Sequence, residues 1–239
     1  MKTSAEAILK RTPDAKPLAL LLASLALGLV SPSLVAAEPQ LEPTLTNSFS
    51  GSQRVVEEPT AGVWVSGVGS GFRPTAESAS LELGASRGVE TFGGRQCHDL
   101  ALTSISYGHM LGPVCGGNHW YRGNWELRGE LFGGGQFSPD QNWVFGLTPH
   151  LRYNFATGTR WVPFADAGAG VSAVGMGAPD LSGTFEFNLQ ATIGTHYFIR
   201  KNLALTAEAR YLHMSCAGIN SPNLGLNTVA GMIGVSWFF

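Results

Sequence analysis

The amino-acid sequence predicts an all-β fold, namely an eight-stranded antiparallel transmembrane β-barrel. Three observations favour this fold: an N-terminal segment typical of a secretory signal, a composition poor in charge and rich in glycine, and about eight long segments in which polar and apolar residues alternate. A period of two is that of a β-strand. Together these features predict an exported chain that crosses a membrane with strands.

The composition argues against an ordinary water-soluble enzyme and against a nucleic-acid-binding protein. Charged residues make up 13% of the 239 residues, and 31 residues are glycine, whereas soluble domains carry about 25% charged residues and about 7% glycine. The formal net charge is −2 and the basic residues are not clustered, so no nucleic-acid partner is expected. Three cysteines are too few for a disulfide framework, and their number is odd, so we expect all three to be unpaired.

The first 37 residues predict a cleaved secretory signal peptide. Basic residues precede an apolar stretch at 18–30, and small residues at Val35 and Ala37 are typical of a cleavage site. The stretch is shorter than the ~20 residues of a membrane-spanning helix, so an uncleaved anchor is the less favoured alternative. No later segment holds about 18 consecutive apolar residues, so no transmembrane helix is expected.

Residues 38–75 are predicted to form a flexible N-terminal segment on the periplasmic side. Residues 38–60 are polar, contain proline and lack a sustained period. Residues 61–72 are rich in glycine and alternate in part, which fits a short strand or an extended arm. Their glycines do not predict a phosphate-binding loop, because no helical pattern follows. The barrel itself is expected to span 76–239.

Eight segments from residue 76 onward show the strand period. Many exceed the ~5–6 residues of an ordinary strand and match the ~9–11 that cross a bilayer at a tilt. In a small barrel, the polar alternate positions fill the interior with mutually paired charges and the apolar ones face lipid. The charges expected there are Glu82, Glu126, Glu130, Asp166, Glu186 and Glu208 together with Arg122, Arg128, Arg152 and Arg210. The alternative is a soluble sandwich whose polar positions face water, but strands of this length are unusual there. The segments are 76–88, 98–111 (the weakest, with ambiguous parity), 120–134, 142–155, 161–173, 184–199, 202–216 and 226–239.

An even number of strands places both ends of the barrel chain in the periplasm. In this topology Cys97 starts the second strand at the cell surface, whereas Cys115 lies beyond its periplasmic end. The two cannot form a disulfide, whose Cα atoms lie within ~7 Å. The terminal Ser-Trp-Phe-Phe is typical of outer-membrane barrels, which carry aromatic residues at the membrane interface. The connections expected in the periplasm are 112–119, 156–160 and 200–201, and the long connection expected at the cell surface is 217–225.

The end of the seventh segment carries the candidate chemistry. His213 and Ser215 are two residues apart, so they share one face of a strand, and by parity this is the lipid-facing one. Polar side chains on that face near the rim are a candidate catalytic pair, although a rim histidine at headgroup level is the alternative. The remaining histidines show no metal-ligand spacing, and we predict no metal and no cofactor.

This region resembles a known family, the lipid A 3-O-deacylases (PagL family). Family members hydrolyse the ester-linked acyl chain at position 3 of lipid A. The resemblance therefore implies a lipid A or lipopolysaccharide substrate, an outer-membrane location and an eight-stranded barrel, and we leave a homodimer open. A weaker resemblance extends over about 76–239. The motif that carries it is His213-x-Ser215-x-Ala217-Gly218 followed by Pro222-Asn223-x-Gly225-x-Asn227.

The resemblance also implies a role for each matched residue. Ser215 is the expected nucleophile and His213 its general base, because a serine hydroxyl is a poor nucleophile until a neighbouring base takes its proton. The backbone N–H of Gly218 and the side chain of Asn223 are the expected donors of an oxyanion hole. The third member of the family's triad is a glutamate, and the matching position here is Asn227.

Asn227 leaves two functional alternatives open. An asparagine oxygen can accept a hydrogen bond from the imidazole and hold its tautomer, but it cannot offset the charge of the imidazolium. The first alternative is an outer-membrane esterase, and the second is a non-catalytic barrel whose site has degraded. Cys216 stands where the family usually carries asparagine, and its inward parity predicts a structural effect rather than a catalytic one.

Overall fold

The computed structural model describes residues 67–91 and 97–239, which form a closed antiparallel barrel of eight strands. Each strand pairs with its neighbours in sequence, and β8 closes the barrel by pairing with β1. The predicted signal peptide and residues 38–66 lie outside the described residues. The strands are β1 (Glu77–Gly88), β2 (Asp99–Met110), β3 (Gly123–Ser138), β4 (Asn142–Phe155), β5 (Trp161–Val174), β6 (Phe185–Arg200), β7 (Leu203–Ser215) and β8 (Leu226–Phe238).

The fold class and the eight strand segments are confirmed, and closure of the sheet rules out the soluble sandwich. The largest difference lies in β3, which was expected at 120–134 but continues to Ser138. Three glycines at 133–135 lie where this extension begins and pair with β4, but they carry no side chains that could show parity. In the part of the chain that the structure describes, no helix is long and apolar enough to cross a membrane.

Alternation separates the inside of the barrel from the outside. On β3, Glu130 is fully buried whereas the next residue, Leu131, is 62% exposed. Even-numbered strand residues point inward and odd-numbered ones point outward in the same way along the other strands. The exterior is therefore apolar, as the hydrocarbon of a membrane requires.

The middle of the interior is a layer of buried, paired charges, as the sequence predicted. Arg210 lies 2.7 Å from a carboxylate oxygen of Glu130, and Arg152 lies 2.7 Å from one of Asp166. Arg122, Glu126 and Glu186 were expected in this layer but are not part of it. The two glutamates are buried, but they form no ion pair among the described residues. Arg122 precedes the first residue of β3, and its Nε donates to the carbonyl of Ala156 at 2.6 Å. The layer consists of Glu82, Arg128, Glu130, His150, Arg152, Asp166, Glu208 and Arg210.

Two apolar clusters lie beyond this ionic layer, one towards each end of the barrel. We name the ends by their connections. At the loop end, the cluster includes Leu100 and Leu102. The parity of 98–111 is ambiguous because the inward positions of β2 change from these leucines to Ser104 and Ser106. The connections at the loop end are 89–98, 139–141, 175–184 and 216–225, and those at the turn end are 111–122, 156–160 and 201–202.

Residues 67–75, which were expected to be flexible, instead form a plug at the turn end. A 3₁₀ helix spans Val68–Phe72. The Phe72 ring is fully buried, with its centroid 5.7 Å from that of Phe198 and 5.1 Å from that of Phe238. Its carbonyl accepts a hydrogen bond from Asn124 Nδ2 at 3.1 Å. Burial of these apolar side chains against the end of the barrel orders the segment.

The strand register winds around the barrel as a helix. When the paired residues are followed from strand to strand around the barrel, the path that starts at Ser215 of β7 returns to β7 at Leu205, ten residues earlier. This offset is the stagger of a closed barrel with tilted strands. We call the residues along this path the Ser215 row. In order, they are Ser215, Phe187, Val171, Leu147, Leu131, Ile105, Leu81, Val235 and Leu205.

The three cysteines offer a test of orientation, because they are free, as expected, and differently placed. Cys97 is exposed at the loop end, Cys115 is exposed at the turn end, and Cys216 is buried. If the loop end faces the cell surface, a bulky impermeant maleimide added to intact cells should label Cys97 and leave Cys115 unlabelled until the outer membrane is opened. Peptide mass spectrometry reads the result, with Cys97→Ser and Cys115→Ser as controls. Labelling of Cys115 alone in intact cells would mean the opposite orientation.

Candidate active site

The candidate site lies on the outer face of the barrel, at the loop end of β7 and β8. Pairing of these strands places His213 opposite Asn227, and Ser215 is the last residue of β7. Because His213 and Ser215 are two residues apart, their side chains project from the same face. Sheet geometry therefore brings together three of the predicted site residues.

The imidazole of His213 links the other two side chains. Its Nδ1 lies 2.7 Å from Oδ1 of Asn227, and its Nε2 lies 3.2 Å from Oγ of Ser215. An amide oxygen can only accept, so Nδ1 must carry the proton, and in the neutral ring Nε2 is then an acceptor. The Ser215 hydroxyl therefore donates to Nε2. This is the arrangement in which a base can take the proton of a nucleophile.

A network that sequence reasoning missed holds the Asn227 carboxamide. Tyr211 Oη donates to Oδ1 of Asn227 at 2.7 Å, and Nδ2 of Asn227 donates to the Thr91 carbonyl at 2.7 Å. The hydroxyls of Tyr211 and Thr91 lie 2.9 Å apart. These contacts turn the amide oxygen towards His213 and the amide nitrogen towards the chain at Thr91. The amide can therefore present only its acceptor to the imidazole.

Asn227 is buried although it points outward. It is 2% exposed, because Tyr211, His213 and the backbone at Thr91 cover it on the outer face. A buried carboxamide must be hydrogen-bonded to avoid a large desolvation cost. Here the oxygen accepts two hydrogen bonds and the nitrogen donates one, so the side chain is well satisfied in its surroundings.

Gly225 lets the loop at 216–225 pack against the imidazole. It has a φ of +81°, and a Cβ atom there would lie 3.1 Å from Cε1 of His213. Its N–H donates to the Asp180 carbonyl at 2.9 Å, and the Asp180 side chain lies 3.2 Å from Nε2 of His98. The loop is thus attached to the neighbouring connection at 175–184.

Cys216 points inward and is buried, as its parity predicted. Burial raises the pKa of its thiol, but hydrogen bonds from the Ser182 hydroxyl and from the N–H groups of Asn220 and Gly218 outweigh burial and hold that pKa below its usual value. The Ser182 hydroxyl lies 3.1 Å from the sulfur. These contacts again tie the loop at 216–225 to the connection at 175–184.

Gly218 and Asn223, the expected oxyanion-hole donors, lie in the loop that begins beside Ser215. Gly218 is exposed and has a φ of +78°, and Asn223 is half-buried. Within residues 67–91 and 97–239, neither is joined to Ser215 by a hydrogen bond. In the same residues, no group of three or more His, Cys, Asp and Glu side chains could hold a metal ion.

A closed eight-stranded barrel with an apolar exterior defines an outer-membrane β-barrel protein, and this one carries a hydrogen-bonded serine–histidine pair at one rim. The family model for lipid A 3-O-deacylase (PagL) matches residues 105–236, which is more than half of the chain and includes all five predicted site residues. The chain belongs to the lipid A 3-O-deacylase (PagL) family, and the protein lies in the outer membrane.

Solved structures share the barrel fold. The crystal structure of the outer-membrane enzyme PagL aligns with a TM-score of 0.50 and 19% identity, covering 66% of this chain and 97% of that one. Neisserial surface protein A aligns with a TM-score of 0.51 and 15% identity, covering 69% and 99%. At these identities the likeness shows the fold alone. No curated protein sequence matches the chain significantly.

Proposed function

We propose that the protein is an outer-membrane esterase that removes the ester-linked 3-O acyl chain from lipid A. The observation that carries this proposal is the continuous chain of hydrogen bonds from Asn227 Oδ1 through the imidazole of His213 to the hydroxyl of Ser215. Family membership supports the substrate class, and the hydrogen bonds support the serine–histidine mechanism.

The proposed reaction is an acyl transfer in two steps. Ser215 Oγ attacks the carbonyl carbon of the ester while His213 Nε2 takes the hydroxyl proton. The tetrahedral intermediate then expels the sugar 3-hydroxyl, which receives that proton from Nε2. A water molecule, activated by the same nitrogen, hydrolyses the acyl-serine and releases the fatty acid. Gly218 N–H and the Asn223 amide are the proposed donors to the developing oxyanion.

The position of the site suits a lipid substrate. Ser215 lies on the outer face at the rim, so an ester at headgroup level can reach it while the acyl chains remain in hydrocarbon. The interior of the barrel offers the substrate no entry route, because an apolar cluster and a layer of paired charges fill it below the rim. The substrate therefore approaches from within the outer leaflet.

The neutral side chain of Asn227 is the one observation that supports the second candidate function, a non-catalytic barrel. Replacing the triad aspartate of a serine protease with asparagine costs ~10⁴ in rate where the wrong tautomer results. Here the amide oxygen faces His213 Nδ1 and selects the productive tautomer. Only the electrostatic part of the loss should remain, which favours a slower enzyme over an inactive one.

Ser215→Ala should reduce the release of fatty acid from purified lipid A to background, because it removes the hydroxyl that is the proposed nucleophile. The side chain lies at the rim and leaves no cavity in the core, so the barrel should still fold. Ser221→Ala is the matched control, since Ser221 is an exposed serine of the same loop, and it should retain activity. Activity in Ser215→Ala would remove this residue from the mechanism.

Asn227→Glu should raise the rate about tenfold, because a carboxylate offsets the charge of the imidazolium. The acidic limb of the pH–rate profile should move to higher pH. Asn227→Glu should also lower the melting temperature, because the Thr91 carbonyl loses its donor. Asn227→Leu should lower any activity, because it removes the acceptor that selects the tautomer. Identical rates and profiles for all three proteins would show that another group orients His213.

Tyr211 is proposed as a positioning residue that keeps the Asn227 amide from rotating. Tyr211→Phe should lower the rate ~5-fold, the equivalent of ~1 kcal/mol for one hydrogen bond. In the Asn227→Glu background the same change should have little effect, because a carboxylate presents acceptors in either orientation. This non-additivity separates positioning from a general structural effect. Equal losses in both backgrounds would contradict the role.

A further inference from the structure

A cavity lined by basic residues lies at the turn end of the barrel, which is the end opposite the candidate site. It has a volume of about 610 Å³ and lies between the plug and two of the short connections. Two residues of its lining, Val68 and Phe198, are buried and apolar. Three others are basic, namely Arg160, Arg200 and Lys201. The cavity therefore gathers three positive charges on one side of the turn end.

Strand pairing and the plug bring these basic residues together. The Phe198 N–H donates to the Arg160 carbonyl at 2.9 Å, which places Arg160 beside the end of β6. Arg200 is the last residue of β6, and Lys201 follows it. The aliphatic part of Lys201 lies against the plug, since a Cβ atom at Gly67 would be 3.2 Å from Cδ of Lys201. The cluster is thus a product of the closed barrel with its plug in place.

The three charged groups of the cavity are exposed and have no partner in the protein. Within residues 67–91 and 97–239, none of them forms an ion pair or a side-chain hydrogen bond. The arginines of the interior differ, because each of them is paired with a carboxylate. Like charges that share a small site repel one another. An anion that binds there removes this repulsion and gains the attraction of all three cations.

The charge of the surrounding connections adds to the positive potential. The connections at the turn end contain no Asp or Glu, and each of them contains one Arg or Lys. In the connections at the loop end, by contrast, acidic residues outnumber basic ones. Glu77 begins β1, which lies across the barrel from β5. The turn end therefore attracts anions, and most strongly at the cavity.

Outward-facing aromatic residues place this end of the barrel at the headgroup region of a bilayer. Trp161 directly follows Arg160, and its ring centroid lies 4.6 Å from that of Tyr197. The exposed Ile199 directly precedes Arg200. Aromatic rings of this kind lie at the level of the lipid headgroups, so the basic residues lie near the lipid phosphates with apolar surface beside them. The aromatic residues are Trp125, Tyr153, Trp161, Tyr197 and Trp237.

We propose that this cavity binds the phosphate of an anionic phospholipid in the leaflet at the turn end, which is the periplasmic leaflet in the predicted topology. The guanidinium groups of Arg160 and Arg200 can each donate two hydrogen bonds to phosphate oxygens, and Lys201 adds a third charge. Basic pockets at membrane surfaces bind anionic lipids in this way. The inference does not depend on the esterase activity.

The aromatic pair is the reason for a lipid rather than a soluble anion. A soluble phosphate would use the three cations alone. A phospholipid also has acyl chains, and these can lie on the outer face against Trp161 and Tyr197, where they bury apolar surface. The cations and the aromatic pair together match both parts of a phospholipid.

The test compares the binding of phosphatidylglycerol and phosphatidylcholine with identical acyl chains to the mature protein in detergent, by native mass spectrometry. The first lipid is anionic and the second has no net charge, so the ratio of their Kd values measures the preference for the anion. The wild type should prefer phosphatidylglycerol. Arg160→Gln/Arg200→Gln should lower this preference about twentyfold, because each cation near an anionic lipid strengthens binding about fivefold.

Arg73→Gln/Arg87→Gln is the matched control. It removes the same charge from two exposed arginines that do not line the cavity, so its preference should equal that of the wild type. Circular dichroism verifies that each variant forms the barrel. If the double variant of the cavity does not fold, Arg160→Gln and Arg200→Gln are measured separately, and each should lower the preference about fivefold.

Three results would overturn the inference. The first is a wild type that binds the two lipids equally well. The second is an unchanged preference in the cavity variants, or an equal loss in the control, because the general charge of the barrel would then be responsible. The third concerns glycerol phosphate, which carries the phosphate without acyl chains and should leave phosphatidylglycerol bound at equal concentration. Displacement by glycerol phosphate would identify a site for free phosphate instead of a lipid.

Discussion

The pairing of β7 with β8 is the constraint on which the candidate site depends. It places His213 opposite Asn227 and leaves Ser215 as the last residue of β7. A slip of one residue would turn every side chain of the strand to the other face of the sheet, and Ser215 would point into the barrel. Closure prevents such a slip, since β8 is also paired with β1 along its length. The buried charges give the same register a second support, because Arg210 of β7 is paired with Glu130 of β3.

Asn227 shows how a neutral side chain can occupy the place of a charged one. A carboxylate presents an oxygen to the imidazole whichever way the carboxylate is rotated, whereas a carboxamide must be held with its oxygen towards His213. Tyr211 and Thr91 provide this hold, one through a donor to the oxygen and the other through an acceptor for the nitrogen. The same contacts explain why Asn227 is buried on an apolar face. The site therefore has the geometry of a triad without its third charge.

The strands and the shared face of His213 and Ser215 could be predicted because they depend on parity and spacing, whereas Asn227 was identified through the family resemblance. Thr91 could not, because it precedes β2 in a connection without periodicity and meets Asn227 only when β1 closes onto β8. Tyr211 has the parity of the lipid-facing residues, and nothing in its sequence position distinguishes a phenol that is hydrogen-bonded to Asn227 from an interfacial one. The plug at Val68–Phe72 was missed because its order comes from burial against strands far along the chain.

The central claim is that the asparagine-containing site is a working esterase. Mass spectrometry of lipid A from otherwise identical cells, with and without the protein, tests it most directly, with the folded protein verified in the outer membrane. The account predicts that the protein's presence lowers the mass of part of the lipid A by one acyl chain and that fragmentation assigns the loss to the 3-O position. Lipid A of unchanged mass in both samples would contradict the account and leave the protein as a non-catalytic member of its family.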